Sequence, residues 1–534
     1  MKIHSYFIVS VLGLAMLNSC TDLAETPYTF VSPDTFYQNE KQLDEALMTE
    51  YSAFRNVAGN WQNIMRLEGC TEFAQPSRGP KDNNQNINDW YNVNSANSTG
   101  TFSNMWNRCY ITINRANTIL ERGAGITITI DESKKKQVFA QARFMRAYCY
   151  YYLVRLFGGV PIPRHMTNSM KDLGLGRSSV SETWDYIIAD LEYCEINLPA
   201  KGMTAYDAFR PTKEAAQTLL GSLYLWRASM ENNVEFYTKS AEYNKKVIGS
   251  GKFHLLSDYK SLWYMFAGEK SKYNDESIFE LAYTRLSGQH NQLHQMFGTF
   301  GDSYYNSVGG SYFYLRIGPS IYAYESYADN DIRKQVFVVK GTAKKSSTLY
   351  NMEFVPTDKG HYPGSKGWQC CTPGNGKYYD FSAESAIALK SANNWMLLRY
   401  SEVLLNYAEA LNEMGQTSEA LKYLNMVHSR AGLSALTISG KQNVDNAIFQ
   451  ERGWEFIGEA KLYFDELRTN RLGKNIYEFL EKGVKENMYY FRHANFVPKK
   501  EFLWKIPQGD LDSNPLLKQN PDNISDPGYP LITN

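Results

Sequence analysis

The sequence predicts a mainly α-helical protein, in which tetratricopeptide-like helix pairs form a scaffold and long loop-rich insertions with few short strands lie between them. Three observations favour this fold class. Apolar residues recur at helical spacing, glycine and proline stand where helices should end, and long polar stretches separate the helical segments. The chain has 534 residues, of which 43% are hydrophobic and 21% charged, so it contains ample material for a core.

Four segments carry the helical pattern. The stretch 137–157 places apolar residues three, four and seven positions apart and ends at two glycines. A second helix opens at Pro211, because proline is tolerated in the first turn of a helix. Residues 396–414 and 417–430 form two further helices with only two residues between them, and so short a connection implies an antiparallel pair.

The first residues predict export. Lys2 precedes an apolar stretch over residues 6–17, which is too short to span a bilayer as a helix. We therefore expect a signal peptide over residues 1–19. The following Leu-Asn-Ser-Cys run resembles the lipobox of bacterial lipoproteins, so Cys20 would carry a lipid anchor. A plain secretory signal is the alternative.

The overall charge argues against nucleic acid as a partner. Lys and Arg total 56 and Asp and Glu total 56, so the chain has no net positive field to attract a polyanion. The aromatic content of 14% is the more informative feature. Most of these rings must be core, but exported proteins with so many rings often use some of them as flat platforms for sugars.

Six cysteines remain besides Cys20, and their spacing shows no zinc pattern. We expect most of them to be buried thiols, with a bridge between Cys70 and Cys109 as the first exception to look for. The six are Cys70, Cys109, Cys149, Cys194, Cys370 and Cys371.

Long polar stretches between the helices are candidates for function. They cover residues 83–97, 287–317 and 341–379, and they contain tryptophans and tyrosines among Asn, Gly and Ser. A solvated linker has little use for such rings, so we expect folded, functional loops rather than disorder.

Sequence blocks in a fixed order resemble the SusD/RagB family of nutrient-uptake outer-membrane lipoproteins. Each block alone is weak evidence for the family, but the whole series in this order is specific to it. One block departs from the family, because residues 459–468 read EAKLYFDELR where many relatives read EG.RWFDLRR. The matching blocks are Trp106 to Asn117, Ala142 to Tyr148, Arg155 to Pro161, Arg399 to Ala410, Arg430 to Leu433 with Glu451 and Arg452, and Ile506 to Pro521.

The resemblance implies how the chain is divided into regions and what function the protein has. The region 20–230 would carry the helical-repeat scaffold, and 231–534 would carry an insertion at about 285–380 and further helix pairs in one compact unit. Such proteins capture an oligosaccharide at the cell exterior and deliver it to a TonB-dependent SusC-like transporter in the outer membrane. A RagB-like peptide carrier is the alternative, and a protein-interaction scaffold is compatible with either.

Relatives bind glycans through the loop after the first helices and through a mid-chain insertion. The foremost candidate is Trp90, whose alternative role is to anchor its loop. By contrast, Arg143, Arg399, Glu402 and Glu409 stand at spacings suited to pairing between helices, and we expect them to be structural. The residues of this chain that fall in the two ligand regions are Glu72, Arg78, Trp90, Tyr91 and Asn94, followed by Tyr304, Tyr305, Tyr312 and Trp368.

Sequence motifs give little support for a catalytic site, a cofactor or a metal ion. The chain contains neither a GxSxG elbow nor a phosphate-binding P-loop. His290 and His294 lie four apart, but Asn291 occupies the place of the glutamate in a zinc HExxH motif. The alternating residues from Asp82 resemble the start of a calcium loop, yet Ile87 replaces its required glycine. We expect neither an enzyme, although a glycoside-processing activity is the less favoured alternative, nor a cofactor or metal ion.

Overall fold

The computed structural model describes residues 36–76, 99–126, 131–167, 174–203, 206–286, 288–297, 317–338, 340–345, 348–354, 368–370, 372–380, 390–485 and 502–521. Helices dominate this part of the chain. They are α1 Glu40–Ala58, α2 Trp61–Gly69, α3 Thr99–Ala124, α4 Glu132–Phe157, α5 Val180–Asn197, α6 Lys213–Glu231, α7 Val234–Gly249, α8 Tyr264–Ala267, α9 Leu293–Phe297, α10 Ile321–Glu325, α11 Tyr400–Glu413, α12 Thr417–Arg430, α13 Lys441–Phe456, α14 Leu462–Arg468, α15 Leu472–Lys485 and α16 Gln508–Ser513.

Within the described ranges, short strands form four small sheets between the helices. The pairs β1–β3, β2–β9, β4–β8 and β5–β6 are antiparallel, and β7 runs parallel to β6. This architecture confirms the predicted fold class. The strands are β1 Ala74–Pro76, β2 Ser277–Leu281, β3 Ile317–Pro319, β4 Phe337–Val338, β5 Lys340–Lys345, β6 Thr348–Phe354, β7 Trp368–Cys370, β8 Gly374–Asn375 and β9 Trp395–Arg399.

Neighbouring helices pack as pairs, most extensively α4 with α5, α6 with α7, and α11 with α12. The turns between them follow from local chemistry. Asn232 ends α6 in the left-handed conformation (φ 51°), and Gly415 follows α11 with φ 80°. Thr212 caps α6 by accepting a hydrogen bond from the backbone N–H of Ala215. The predicted helices at 211 and 417–430 are therefore confirmed.

A glycine brings α6 and α7 into close contact. A Cβ placed on Gly221 would lie 2.7 Å from Nδ2 of Asn244, so no larger residue fits without movement. The Ser240 hydroxyl donates to the Gly221 carbonyl oxygen at 2.8 Å, and Asn244 donates to the Ser240 carbonyl. The absence of a side chain at Gly221 thus allows a close approach that includes one hydrogen bond between the two helices.

One helix prediction is wrong at its start. Residues 396–399 belong to strand β9, which pairs with β2 so that Ser277 lies opposite Arg399 and Leu281 opposite Trp395, and the helix begins only at Tyr400. The pairing partner lies more than a hundred residues away. An apolar run of this kind is compatible with either a strand or a buried helix when it is read locally.

Buried ion pairs join β9 to the C-terminal helices. Arg399 is fully buried and bonds to Glu276, Glu455 and Glu459, while Arg430 bonds to Glu276 and Glu455. The prediction that the charged motif residues are structural is confirmed, because Arg143 pairs with Asp190, Glu402 with Lys461 and Glu409 with Arg468.

Candidate functional site

Strands β1 and β3 bring together the two chain regions that the sequence analysis assigns to ligand binding. Their antiparallel register pairs Pro76 with Ile317. The segment 77–98 leaves β1 directly after Pro76, and the segment 298–316 enters β3 directly before Ile317. Partners in a ladder lie about 5 Å apart, so both segments are attached at one end of one small sheet.

The end of the third long polar stretch, 341–379, lies at the same place. A Cβ on Gly318 would lie 2.3 Å from Thr372 Oγ1 and 2.5 Å from the Pro373 carbonyl oxygen. Thr372 follows strand β7, which contains Trp368, by two residues. We call this meeting point the loop junction, defined as Ala74–Pro76, Ile317–Pro319 and the pair Thr372 and Pro373.

The loop junction has a well-packed base. Ser320 donates its backbone N–H to the Phe73 carbonyl at 2.8 Å and its hydroxyl to the Glu72 carbonyl. The backbone N–H of Ile321 donates to Gln75 Oε1 at 3.2 Å. Phe73 is buried against α13, where a Cβ on Gly453 would lie 2.5 Å from its ring. These contacts fix the position of both strands relative to the helical scaffold.

Two carboxyl groups meet below the loop junction. Glu72 Oε1 accepts a hydrogen bond from Asn475 Nδ2 at 2.9 Å. Glu72 Oε2 and both oxygens of the fully buried Glu466 have no donor among the described residues. Burial raises the pKa of Glu72 to about 6, and burial together with the facing Glu72 carboxyl raises the pKa of Glu466 well above its usual range. We therefore expect the pair to titrate as a unit and to hold one proton near neutral pH.

A polar cluster lies where α3 begins, at the other end of segment 77–98. Asn104 Nδ2 donates to Asn60 Oδ1 and to Gln62 Oε1, both at 3.0 Å. Arg108 Nε donates to Asn104 Oδ1, and the other guanidinium nitrogens have no acceptor among the described residues. Both ends of this segment are therefore held by the scaffold. Sequence reasoning missed the cluster, because only the packing of α3 on α2 brings these amides together.

Of the predicted ligand residues, the structure describes two. Glu72 lies below the loop junction, and its carboxyl faces Glu466. Trp368 begins strand β7, whose backbone alone is described. The assignment of all of these residues to ligand binding stays a prediction. Outside the described residues lie Cys20, Arg78, Trp90, Tyr91, Asn94, Tyr304, Tyr305 and Tyr312.

The described cysteines are thiols. Cys70, Cys109, Cys149 and Cys194 are free, and the last three are buried. The suggested bridge between Cys70 and Cys109 is therefore wrong. The expectation of buried thiols is confirmed for Cys109, Cys149 and Cys194, whereas Cys70 is partly exposed. Cys371 and the side chain of Cys370 lie outside the description.

Neither a metal cluster nor an ionic cavity offers a second candidate for the ligand site. Within the described residues, no group of three or more His, Cys, Asp or Glu side chains is arranged to hold a metal ion. A cavity of about 60 Å³ lies between α4, α6 and α14. Its charged lining residues, among them Glu402, Arg452 and Asp465, already bond to one another or to neighbours. We therefore interpret it as a structural void that could hold a few waters.

Two family models together match most of the chain. The model of the SusD family matches residues 275–529, and a model described as "Starch-binding associating with outer membrane" matches residues 28–225. The chain belongs to the SusD family. This is the family that the sequence blocks indicated, and it comprises glycan-binding and starch-binding proteins associated with the outer membrane.

Individual SusD proteins are similar along the whole chain. SusD-like protein P2 of Formosa agariphila is 27% identical, and the match covers 98% of this chain and 99% of that protein. The crystal structure of a SusD homolog from Bacteroides thetaiotaomicron gives a TM-score of 0.76 at 22% identity, covering 92% of this chain and 99% of that one. A laminarin-binding SusD-like protein gives 0.69 at 21% identity, covering 91% and 100%. The two structures establish the shared SusD fold.

None of the helices in the described part of this SusD family member combines the length and the hydropathy that crossing a bilayer requires.

Proposed function

We propose that this SusD family member is a cell-surface lipoprotein that captures an oligosaccharide and delivers it to a TonB-dependent SusC-like transporter. The observation that carries the proposal is the loop junction. The register pair Pro76 and Ile317 and the contact of Gly318 with Thr372 bring together, at one point of the scaffold, residues that flank both predicted ligand regions.

The residue types in these segments suit a neutral sugar. A pyranose offers apolar C–H faces and hydroxyl groups, so a binding site needs flat rings together with amide, carboxyl or guanidinium groups. Trp90, Tyr91 and Tyr305 supply rings, and Arg78 and Asn94 supply hydrogen-bonding groups. The rings contribute roughly 1 kcal/mol each by analogy with aromatic pairs. Three rings with a few hydrogen bonds correspond to affinities from about millimolar to micromolar, and such affinities permit release to a transporter.

The anchor and the partner complete the proposal. Lipidation of Cys20 would tether the protein durably, because each buried CH₂ of an acyl chain contributes about 0.8 kcal/mol. The protein would face the cell exterior. The proposal assigns it binding and transfer, not catalysis, in keeping with a family of binding proteins.

Affinity electrophoresis of residues 21–534 tests the proposal. The gels would contain plant, host and microbial polysaccharides, including laminarin and soluble starch. The Trp90→Ala variant removes the foremost ring of segment 77–98. Tyr243→Ala is the matched control, since it removes a ring that stacks on Tyr224 in the helical scaffold.

We expect one polysaccharide to retard the wild type and the Tyr243→Ala variant, and retardation to vanish for Trp90→Ala. Absence of retardation by every polysaccharide would contradict glycan capture, and binding to an oligopeptide mixture would then favour a peptide carrier. Release of reducing ends from a bound glycan would contradict the non-catalytic assignment.

A further inference from the structure

A groove of about 530 Å³ lies along α3, and none of its described lining residues belongs to the loop junction. Asn107, Tyr110, Ile111 and Asn114 form its helical wall, and their spacing of three, four and seven residues places them on one face of α3. The rest of the lining consists of Pro161, Pro163, Thr167 and Leu175, with Asp510 and Ser513 of α16 and Asn514 and Leu517 after it. The volume falls within the range of small-molecule sites.

The groove contains a fixed aromatic surface. The Tyr110 hydroxyl donates to the Pro161 carbonyl oxygen at 2.9 Å, which holds the ring in place. The buried Trp106 ring lies behind it, with ring centroids 4.9 Å apart. Pro163 adds a second rigid ring to the lining. Because these rings are already ordered, a ligand that stacks on them loses little side-chain entropy from the protein.

Polar groups of the groove are uncharged with a single exception. Asn107 is exposed and has no hydrogen-bond partner among the described residues, and Asn114 uses Oδ1 to accept from the backbone N–H of Thr167 at 2.8 Å, so its amide nitrogen is available. The exception is Asp510, and burial raises the pKa of its carboxyl. No Lys or Arg is among the described lining residues. This set disfavours an anion and matches a neutral ligand with several hydroxyl groups.

We infer that the groove is an accessory site for one or two neutral pyranose units of the same glycan that the protein captures. The inference rests on the proposed function and adds a second contact to it. Segment 77–98 leads directly into α3, and Asn107 lies eight residues after Thr99, which is about 12 Å along a helix. A polysaccharide held by that segment can therefore reach the groove. Two weak contacts on one chain raise its affinity through effective concentration.

Ile111 allows the groove to be blocked without disturbing the core. It lies in the groove wall with 51% of its surface exposed, and arginine is a good helix former, so Ile111→Arg places a long cationic side chain over the groove. Ile196→Arg is the matched control, because Ile196 lies in α5, is 80% exposed and does not line the groove. Both variants should have the same midpoint of thermal unfolding as the wild type.

The experiment compares long and short forms of the polysaccharide that retards the wild type. In gels of the polysaccharide, we expect Ile111→Arg to bind about five- to tenfold more weakly than Ile196→Arg. Calorimetry with the matching trisaccharide should give an unchanged affinity at the loop site for both variants. Trp90→Ala should lose both kinds of binding.

Other outcomes separate the two proposals. Equal polysaccharide affinity of the two arginine variants would overturn the accessory site while leaving glycan capture intact. Absence of glycan binding by the wild type would overturn both. If Ile111→Arg instead abolished binding of an oligopeptide mixture, the groove would be a peptide site and the inference would be wrong.

Discussion

Gly318 lies directly against Thr372, with space for a hydrogen atom but not for a methyl group. We predict that Gly318→Ala destabilises the protein by about 1 to 3 kcal/mol, because the added Cβ also meets the backbone of Pro373 and overpacking of this kind displaces main chain. Urea denaturation measures the change in the free energy of unfolding. Gly249→Ala is the control, since nothing lies within 4 Å of a Cβ at that position.

The same pair of variants tests the role of the loop junction. If the junction positions the ligand segments, Gly318→Ala should lower glycan affinity at a temperature where the variant remains folded, while Gly249→Ala should not. A Gly318→Ala protein with wild-type affinity would show that ligand binding does not depend on this contact.

The carboxyl pair below the junction predicts a pH dependence of stability. The folded pKa of Glu72, about 6, and that of Glu466 both lie above the value of an ordinary glutamate. The contribution of these two protonated carboxyls to the free energy of unfolding is therefore complete below about pH 4.5. It is lost as pH rises through the folded pKa values. Glu466→Gln supplies a neutral amide and should flatten this decline. The free energy of unfolding of this variant should exceed that of the wild type by on the order of 1 to 2 kcal/mol between pH 5 and 8.

Chemical denaturation at several pH values measures this difference. Glu45→Gln, a solvent-exposed change on α1, should leave the wild-type slope intact. Parallel profiles for wild type and Glu466→Gln would contradict a shared proton.

Because Arg399 is buried among carboxylates, we predict that removing this cation lowers the free energy of unfolding substantially. Burial alone would raise the pKa of Glu455, but Arg430, Arg399 and Arg333 outweigh it and hold that pKa well below its usual range. Arg399→Leu removes the cation that Glu276, Glu455 and Glu459 have in common, leaves excess buried negative charge and should cost about 3 to 5 kcal/mol. Thermal and urea denaturation check this value. Lys422→Leu breaks an exposed pair with Glu419 and should change stability by less than about 1 kcal/mol.

The cysteine assignment predicts thiol chemistry. Denatured but unreduced protein should be alkylated at Cys70, Cys109, Cys149 and Cys194, whereas in the folded protein the three buried thiols should react far more slowly. Mass spectrometry of peptides reads out each position, with prior reduction as the control. A peptide linked through Cys70 and Cys109 would contradict the structure.

Helices could be predicted from the sequence because their signals are local. The segment 417–430 matches α12 to the residue, since its apolar spacing and the preceding Gly415 lie within a few turns. Residues 396–399 were misassigned because their strand depends on β2, which lies far away in the sequence. Local periodicity contains no information about such a partner.

The candidate site was predictable only in part for the same reason. Rings and amides in long polar stretches identify the ligand segments, but three-residue strands such as Ala74–Pro76 have no recognisable pattern. The Pro373-Gly374 dipeptide and Gly318 were the available sequence signals of a close approach, but neither indicates that the other is its partner. The proximity of Glu72 and Glu466 depends on α14 reaching the end of α2, which only the assembled fold reveals.

Glu68, near the end of α2, accepts hydrogen bonds from the backbone N–H groups of Gly458 and Ala460, almost four hundred residues later. Likewise, Asn520 donates to the carbonyl oxygen of Phe157 at the end of α4. The first helices therefore form their last tertiary contacts only after the C-terminal segment has been synthesised. Contacts of this sequence separation slow folding and favour partly folded intermediates. A chain halted before residue 458 would expose unfinished helices, so exported truncation products should be recognised and degraded rather than accumulate as partial binding proteins.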